Sequence, residues 1–252
     1  MRKAAVGLAG WKKRVIAGAL ALAVLAAGSL LPRPGREREA EAAGPAKIPA
    51  GPYVALTFDD GPKASTTAAL LDGLSQRGVH ATFFVVGENV EGNELLLQRM
   101  EGEGHQVGLH TYHHKSLAAL NASDFYAEVD SLRATLTALL GRERFMLRPP
   151  YGMMNEATQA RAASPLILWS VDPEDWSDRD TKRQVSVILD NVKDGDIILL
   201  HDIYPASVDT ALQVVDALLA RGYRFVTVEE LFAVRGRTAE NGKVYRNLPP
   251  QE

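Results

Sequence analysis

Residues 56–62 read LTFDDGP. The apolar run 53–58 ends on two adjacent carboxylates, Asp59 and Asp60, and the chain breaks at Gly61 and Pro62. A short run that is apolar on both sides reads as a strand buried on both faces, the kind found in a parallel sheet covered by helices. Two like charges at the end of such a strand repel each other. Either water solvates them, or a positive group lies opposite.

Outward from this strand the pattern repeats. Apolar runs at 81–86, 106–109, 145–148, 166–171, 196–200 and 224–228 alternate with helical patterns near 64–77, 91–103, 122–140, 155–163, 181–193 and 206–221. A last helix is predicted over 228–234. Ser123 and Gly141 bracket the longest helix as cap and stop, and Gly222 closes the helix before the last strand. Strands alternating with helices argue for an α/β fold with a parallel sheet. A closed or nearly closed (β/α) barrel and an open doubly wound sheet both fit, and periodicity does not separate them. In either one, strand C-termini share a face, and sites form there. The unusual polar residues fall at those ends: Asp59 and Asp60, His110 and His114, Arg148, Asp172 with Asp175 and Trp176, and His201 with Asp202.

The chain has 252 residues, 46% apolar and 23% charged, which allows one large domain with a sizeable core. With no cysteine, disulfides and thiolate metal sites are excluded, so a metal would be held by His, Asp or Glu. Lys12, Lys13 and Arg14 precede an uncharged run over 15–31, so residues 1–31 read as a signal peptide or an N-terminal membrane anchor. Either places the rest of the chain outside the cytoplasmic membrane, bound to that membrane if the segment is uncleaved. Residues 32–50 read as a linker of Pro, Gly, Ala and charge, residues 51–236 as the folded domain, and 237–252 as a tail. Residues 1–43 carry eight Lys/Arg and three Glu, so a chain of net charge −3 leaves about −8 on residues 44–252. An acidic domain of this kind does not read as a nucleic-acid binder.

His110 and His114 stand four apart in HTYHH, 110–114. On the first turn of a helix both rings would project from one face and share an ion. Alone, that spacing suits a polar loop better. Beside an acidic pair at the same mouth it suits a two-histidine, one-carboxylate site with open positions, the pattern of catalytic zinc. Cobalt, manganese and nickel accept the same donors. One aspartate would then ligate the ion, and the other would stay free to take a proton from water acidified by it. His201 follows the apolar run 196–200 and reads as an acid for the leaving group, or as a satisfied core histidine. Asp172 or Asp175 can accept its hydrogen bond and hold it charged. Arg148 precedes Pro149 and Pro150, and either orients a carboxylate or makes a surface salt bridge. Trp176 is a sugar platform or core. His80, His105 and His113 are assigned to surface or core packing.

Five motifs occur in order: TFDDG at 57–61, HTYHH at 110–114, RPPYG at 148–152, DPEDW at 172–176 and LLHD at 199–202. Together they resemble the polysaccharide deacetylases, carbohydrate esterase family 4, which share the nodulation-type chitooligosaccharide deacetylase domain. The resemblance runs from about Tyr53 to Val234. It implies a distorted (β/α)7 TIM-like barrel in which Asp60, His110 and His114 hold the metal and Asp59 is the general base, oriented by Arg148. It implies also that the Tyr151 backbone N–H stabilises the oxyanion, that His201 is the general acid tuned by Asp175, and that Trp176 and Leu199 line the pocket for the acetyl methyl. Leu109 and His113 depart from the residues usual in the family, and His113 brings a competing ligand into question. The tail NGKVYRNLPP resembles the end of Gram-positive bacterial members, which favours cell-wall glycan.

The resulting expectation is an exported, zinc-dependent N-deacetylase of peptidoglycan N-acetylglucosamine or N-acetylmuramic acid, or of chitin oligomers. An O-acetyl xylan esterase and a catalytically silent glycan-binding module of the envelope are the alternatives.

Overall fold

The computed structural model describes residues 51–251; the segments expected to be signal or anchor and linker lie outside the described residues. Strand β1 (Tyr53–Asp59) is central. It pairs in parallel with β2 (Thr82–Val85) on one side and with β5 (Ile197–His201) on the other, in a register that sets Asp59 beside His201. Strand β3 (Gln106–Leu109) extends the sheet from β2. The ring continues by single-residue steps. Leu147 bridges Leu109 to Leu166 of β4 (Leu166–Ile167), and Val171 bridges to Ile198. The Arg148 N–H donates to the Leu109 carbonyl (2.9 Å), that of Ile167 to Leu147 (2.9 Å) and that of Leu199 to Val171 (3.0 Å). Backbone hydrogen bonds therefore run round the whole circuit, and the fold is a distorted barrel rather than an open sheet.

The distortion has local causes. The expected strand 145–148 shrinks to a bridge because Pro149 and Pro150 carry no N–H for a ladder. The expected strand 224–228 is only β6 (Arg224–Phe225), paired with the start of β1, because Thr227 leaves the ladder to cap helix α7 (Val228–Val234). A strand absent from the sequence reading, β7 (Val244–Tyr245), lies in the tail and pairs in parallel with β4. The other helices are α1 (Ala64–Arg77), α2 (Glu94–Gly102), α3 (Ala122–Leu140), α4 (Glu156–Arg161), α5 (Thr181–Asn191) and α6 (Pro205–Ala220). Asn121, not Ser123, caps α3 by accepting from the Asp124 N–H (2.9 Å), and Gly141 stops it at φ 71°.

Alternation along each strand sorts the core. From β1, Val54, Leu56 and Phe58 pack outward with Leu70, Leu71 and Leu74 of α1 and Val214 and Leu218 of α6. Tyr53 and Ala55 belong instead to an inner cluster with Phe84, Ile167 and Ile197, closed off by Val228, Leu231 and Phe232 of α7. Burying each large side chain contributes about 1.5–3 kcal/mol. The inward column of β1 therefore runs Tyr53, Ala55, Thr57, Asp59, from an apolar floor to a charged mouth. That of β5 runs Ile197, Leu199, His201 in the same sense. Among the described residues no helix is long and apolar enough to cross a membrane.

Candidate active site

Adjacent residues of an extended strand point to opposite faces, so Asp59 and Asp60 cannot share a mouth unless the strand ends between them. It does. Asp60 adopts a left-handed φ of 73°, and both carboxylates line one cavity. Asn89 Nδ2 donates to the Asp60 carbonyl (2.8 Å) and holds the turn.

His110 Nδ1–H donates to the Arg148 carbonyl (2.8 Å), which turns Nε2 toward the acids. His110 Nε2 lies 3.4 Å from Asp60 Oδ1 and 3.6 Å from Asp59 Oδ2, and His114 Nε2 lies 3.1 Å from Asp60 Oδ1. The HTYHH segment is a loop, as its spacing alone suggests, and not the helical turn on which both rings would share a face. Thr111 (φ 62°) and His114 (φ 53°) are left-handed, and a loop with two such residues brings both rings to the acid. His113 faces away: its N–H and Nδ1 meet Glu128 at 2.8 and 3.0 Å, so it is not a competing ligand.

These residues fit a divalent cation on three counts. The ligand atoms of Asp60, His110 and His114 lie within 4.8 Å of one another. Asp60 Oδ1 is buried without a hydrogen-bond partner. Burial alone would raise the Asp60 pKa, but the facing His110 and His114 hold it well below the usual carboxylate range, so the oxygen is anionic. Ligands at about 2.1 Å around a tetrahedral ion stand roughly 3.4 Å apart, close to these spacings.

Arg148 is wholly buried, not a surface salt bridge. Its Nη1 donates to Asp59 Oδ1 (2.7 Å) and Thr57 Oγ1 (2.8 Å), while Nε and Nη2 donate to the carbonyls of Ile167 (3.2 Å) and Leu168 (3.1 Å). The guanidinium stacks over Phe84 at 4.2 Å. Burial pulls its pKa down and Asp59 opposes that. With one Asp59 oxygen taken by Arg148, the other faces His110.

Between Asp172 and Asp175, the structure selects Asp175 as the partner of His201. His201 Nδ1 donates to Asp175 Oδ1 (2.7 Å) and the His201 N–H to Oδ2 (2.8 Å); Ser207 Oγ also donates to Oδ2. Burial would lower the His201 pKa, but the Asp175 bond and charge, with Asp59 and Asp60 beyond, push it up to about 9. His201 is therefore an imidazolium at neutral pH. Asp172 instead accepts from the Glu174 N–H (2.7 Å), and burial raises its pKa.

A cavity of about 340 Å³ is lined by Asp59, Asp60, His110, His114, Tyr151, Trp176, Leu199 and His201, with Asp172 and Trp169. Arg148 and Asp175 stand behind it, touching Asp59 and His201. Tyr151 is left-handed (φ 61°) and its ring lies 4.8 Å from that of His114. Trp176 is half-exposed and Leu199 buried. Trp169 was missed by the sequence reading; it follows Ile167 by two residues, so strand alternation was its signal. Among the described residues, the non-glycine left-handed positions are Asp60, Thr111, His114, Tyr151 and Glu174, all within the quoted motifs.

The family model described as polysaccharide deacetylase matches residues 46–165. A solved structure titled "T48 deacetylase with substrate" is 42% identical with a TM-score of 0.74, covering 77% of this chain and 96% of that one. This chain belongs to the polysaccharide deacetylase family. The peptidoglycan-N-acetylmuramic acid deacetylase PdaC of Bacillus subtilis is 38% identical over 72% of this family member and 39% of its own length. A family 4 acetyl xylan esterase from Clostridium thermocellum, solved with a cobalt ion, is 29% identical with a TM-score of 0.74, covering 78% and 99% of the two chains. The chain spans about two-fifths of the length of the first curated relatives it matches.

Proposed function

We propose that this chain hydrolyses the N-acetyl groups of a cell-wall polysaccharide, peptidoglycan N-acetylglucosamine or N-acetylmuramic acid or chitin oligomers, with a bound metal, and releases acetate. One observation carries the reading. A carboxylate held by Arg148, a two-histidine, one-aspartate cluster and an imidazolium held by Asp175 meet in one cavity. Amide hydrolysis needs those three parts: a base for water, an electrophile for the carbonyl and an acid for the amine.

Asp60, His110 and His114 would hold the ion, zinc by donor chemistry, with cobalt, manganese or nickel suited to the same set. Such an ion supplies Lewis-acid polarisation of the acetyl carbonyl and a lowered pKa for water. Asp59 takes the proton of the attacking water on the oxygen that Arg148 leaves free. The Tyr151 N–H is assigned to the carbonyl oxygen as it gains charge. His201 gives its Nε2 proton to the departing amine, and Asp175 holds the ring in the tautomer and charge state for that transfer. Leu199 and Trp176 are assigned to the acetyl methyl. Two further points support a site of action outside the cytoplasmic membrane: relatives named for peptidoglycan and the basic-then-apolar segment 1–31. Whether that segment is a cleaved signal or a retained anchor, it sends the domain to the wall.

The His201–Asp175 pair favours an amide over an ester, whose leaving group needs less help from an acid. The xylan-esterase relative keeps the ester reading as the alternative. Acetate release from N-acetylglucosamine oligomers, peptidoglycan and acetylxylan, with and without a chelator, tests the reading. Chelator-sensitive release from the first two supports it, and release from acetylxylan alone overturns it.

A further inference from the structure

The motif LLHD contributes Leu199 and His201 to the reaction above and leaves Asp202 without a part. Asp202 is 1% exposed. Its Oδ2 accepts from Thr67 Oγ1, and its Oδ1 has no hydrogen-bond partner. A buried carboxyl with an unpaired oxygen costs stability, so stabilisation of the fold does not account for it.

What Asp202 touches is the turn after Asp60. A Cβ placed on Gly61 would lie 2.3 Å from both Asp202 carboxylate oxygens, so the carboxyl packs directly on the Gly61 backbone. Thr67 Oγ1 also accepts from the Lys63 N–H (2.8 Å), and Lys63 Nζ donates to the Ile203 carbonyl (3.1 Å). Segment 61–67 is thus tied to 202–203 on one side. On the other, the Val86 N–H donates to the Gly61 carbonyl (2.9 Å) and Asn89 to that of Asp60 (2.8 Å). Between the two sets of ties sits Asp60 at φ 73°. A non-glycine residue keeps that conformation only where its surroundings over-determine it.

We infer that Asp202 is a positioning residue: its carboxyl braces Gly61 from below, so that Asp60 is set against His110 and His114 and stays in step with His201. The register pairing Asp59 with His201 makes this geometric, because the brace is the next residue after His201 on the neighbouring strand. An acceptor of the same shape does the same work, so the role rests on position rather than charge.

The kinetic arm of the test rests on the deacetylase reading; the metal arm does not. Co²⁺ is titrated into the full chain and into Asp202→Ala, Asp202→Asn and Thr67→Val, with melting curves for each. Asp202→Ala is expected to bind Co²⁺ about tenfold more weakly, and its kcat for acetate release to fall about tenfold with KM within about twofold. Asp202→Asn is expected to recover most of both losses, since its side-chain oxygen still accepts from Thr67. Wild-type Co²⁺ affinity in a folded Asp202→Ala, whatever its melting point, overturns the inference, as does an Asn variant as impaired as the Ala one. If Asp202→Ala does not fold, Thr67→Val decides: about threefold weaker Co²⁺ binding supports the brace, and unchanged binding overturns it. Should the wild-type chain release no acetate from any substrate, the deacetylase reading fails while the Co²⁺ comparison still judges the brace.

Discussion

The floor and the mouth of the barrel are built from the same strands to opposite ends. At the floor, Tyr53, Ala55 and Ile197 point inward onto Val228, Leu231 and Phe232, and α7 starts with a capping box between Thr227 and Glu230. At the mouth, four residues further along β1 and β5, the inward positions are Asp59 and His201. There the backbone turns left-handed at Asp60, Thr111, His114 and Tyr151, and Asp60 Oδ1 and Thr111 Oγ1 are buried unpaired. The floor also buries unpaired polar atoms, Glu103 Oε2 and His105 Nε2 just before β3, but the left-handed non-glycine residues among the described residues all lie at the mouth. Strain and unpaired polar atoms cost free energy, and the apolar end of the same strands offsets it.

This contrast predicts that damage at the mouth removes activity and damage at the floor removes stability. His110→Ala should lower acetate release by at least about a hundredfold and weaken zinc binding in parallel, with melting curves to exclude unfolding. Phe232→Ala at the floor should cost about 3–5 kcal/mol in urea unfolding while leaving kcat per folded molecule unchanged. A drop in kcat there would show that the two ends are coupled. Asp175→Asn sharpens the contrast through pH. Because His201 is held charged up to about 9, the wild type should lose activity as pH rises through that value. The variant's limb should shift toward the ordinary histidine value of about 6.5, with roughly a tenfold loss at pH 8, read from kcat–pH profiles. Trp176→Ala, half-exposed at the rim, should raise KM about threefold to tenfold with little change in kcat.

Much of the mouth was legible because a strand end that swaps apolar for charged residues is visible in one dimension. Asp59, His110, Arg148, Asp175 and His201 all announce themselves that way. Backbone conformation is not visible so. Nothing in HTYHH distinguishes a helical turn from a loop with two left-handed residues, because that choice is made by contacts from β2 and Arg148. Asn89 acts on the Asp60 turn from another element and does not stand out in its own segment; Asp202 stands out beside His201, but nothing in its own segment shows that it acts on that turn. The short strand Val244–Tyr245 escaped because its ladder partner, Leu166–Ile167, lies far back in the chain. A two-residue strand leaves no period to read.

The adjacent pair Asp59 and Asp60 gives the most direct test. Zinc affinity by competition with a chromophoric chelator, and acetate release from peptidoglycan, should be measured on Asp59→Asn and Asp60→Asn side by side. If the turn at Asp60 separates ligand from base, Asp60→Asn loses zinc affinity and activity together. Asp59→Asn then binds zinc within about threefold of wild type and loses release by about 10³-fold or more. Near wild-type release from zinc-loaded Asp59→Asn, or an unchanged zinc affinity in Asp60→Asn, would contradict the division of labour.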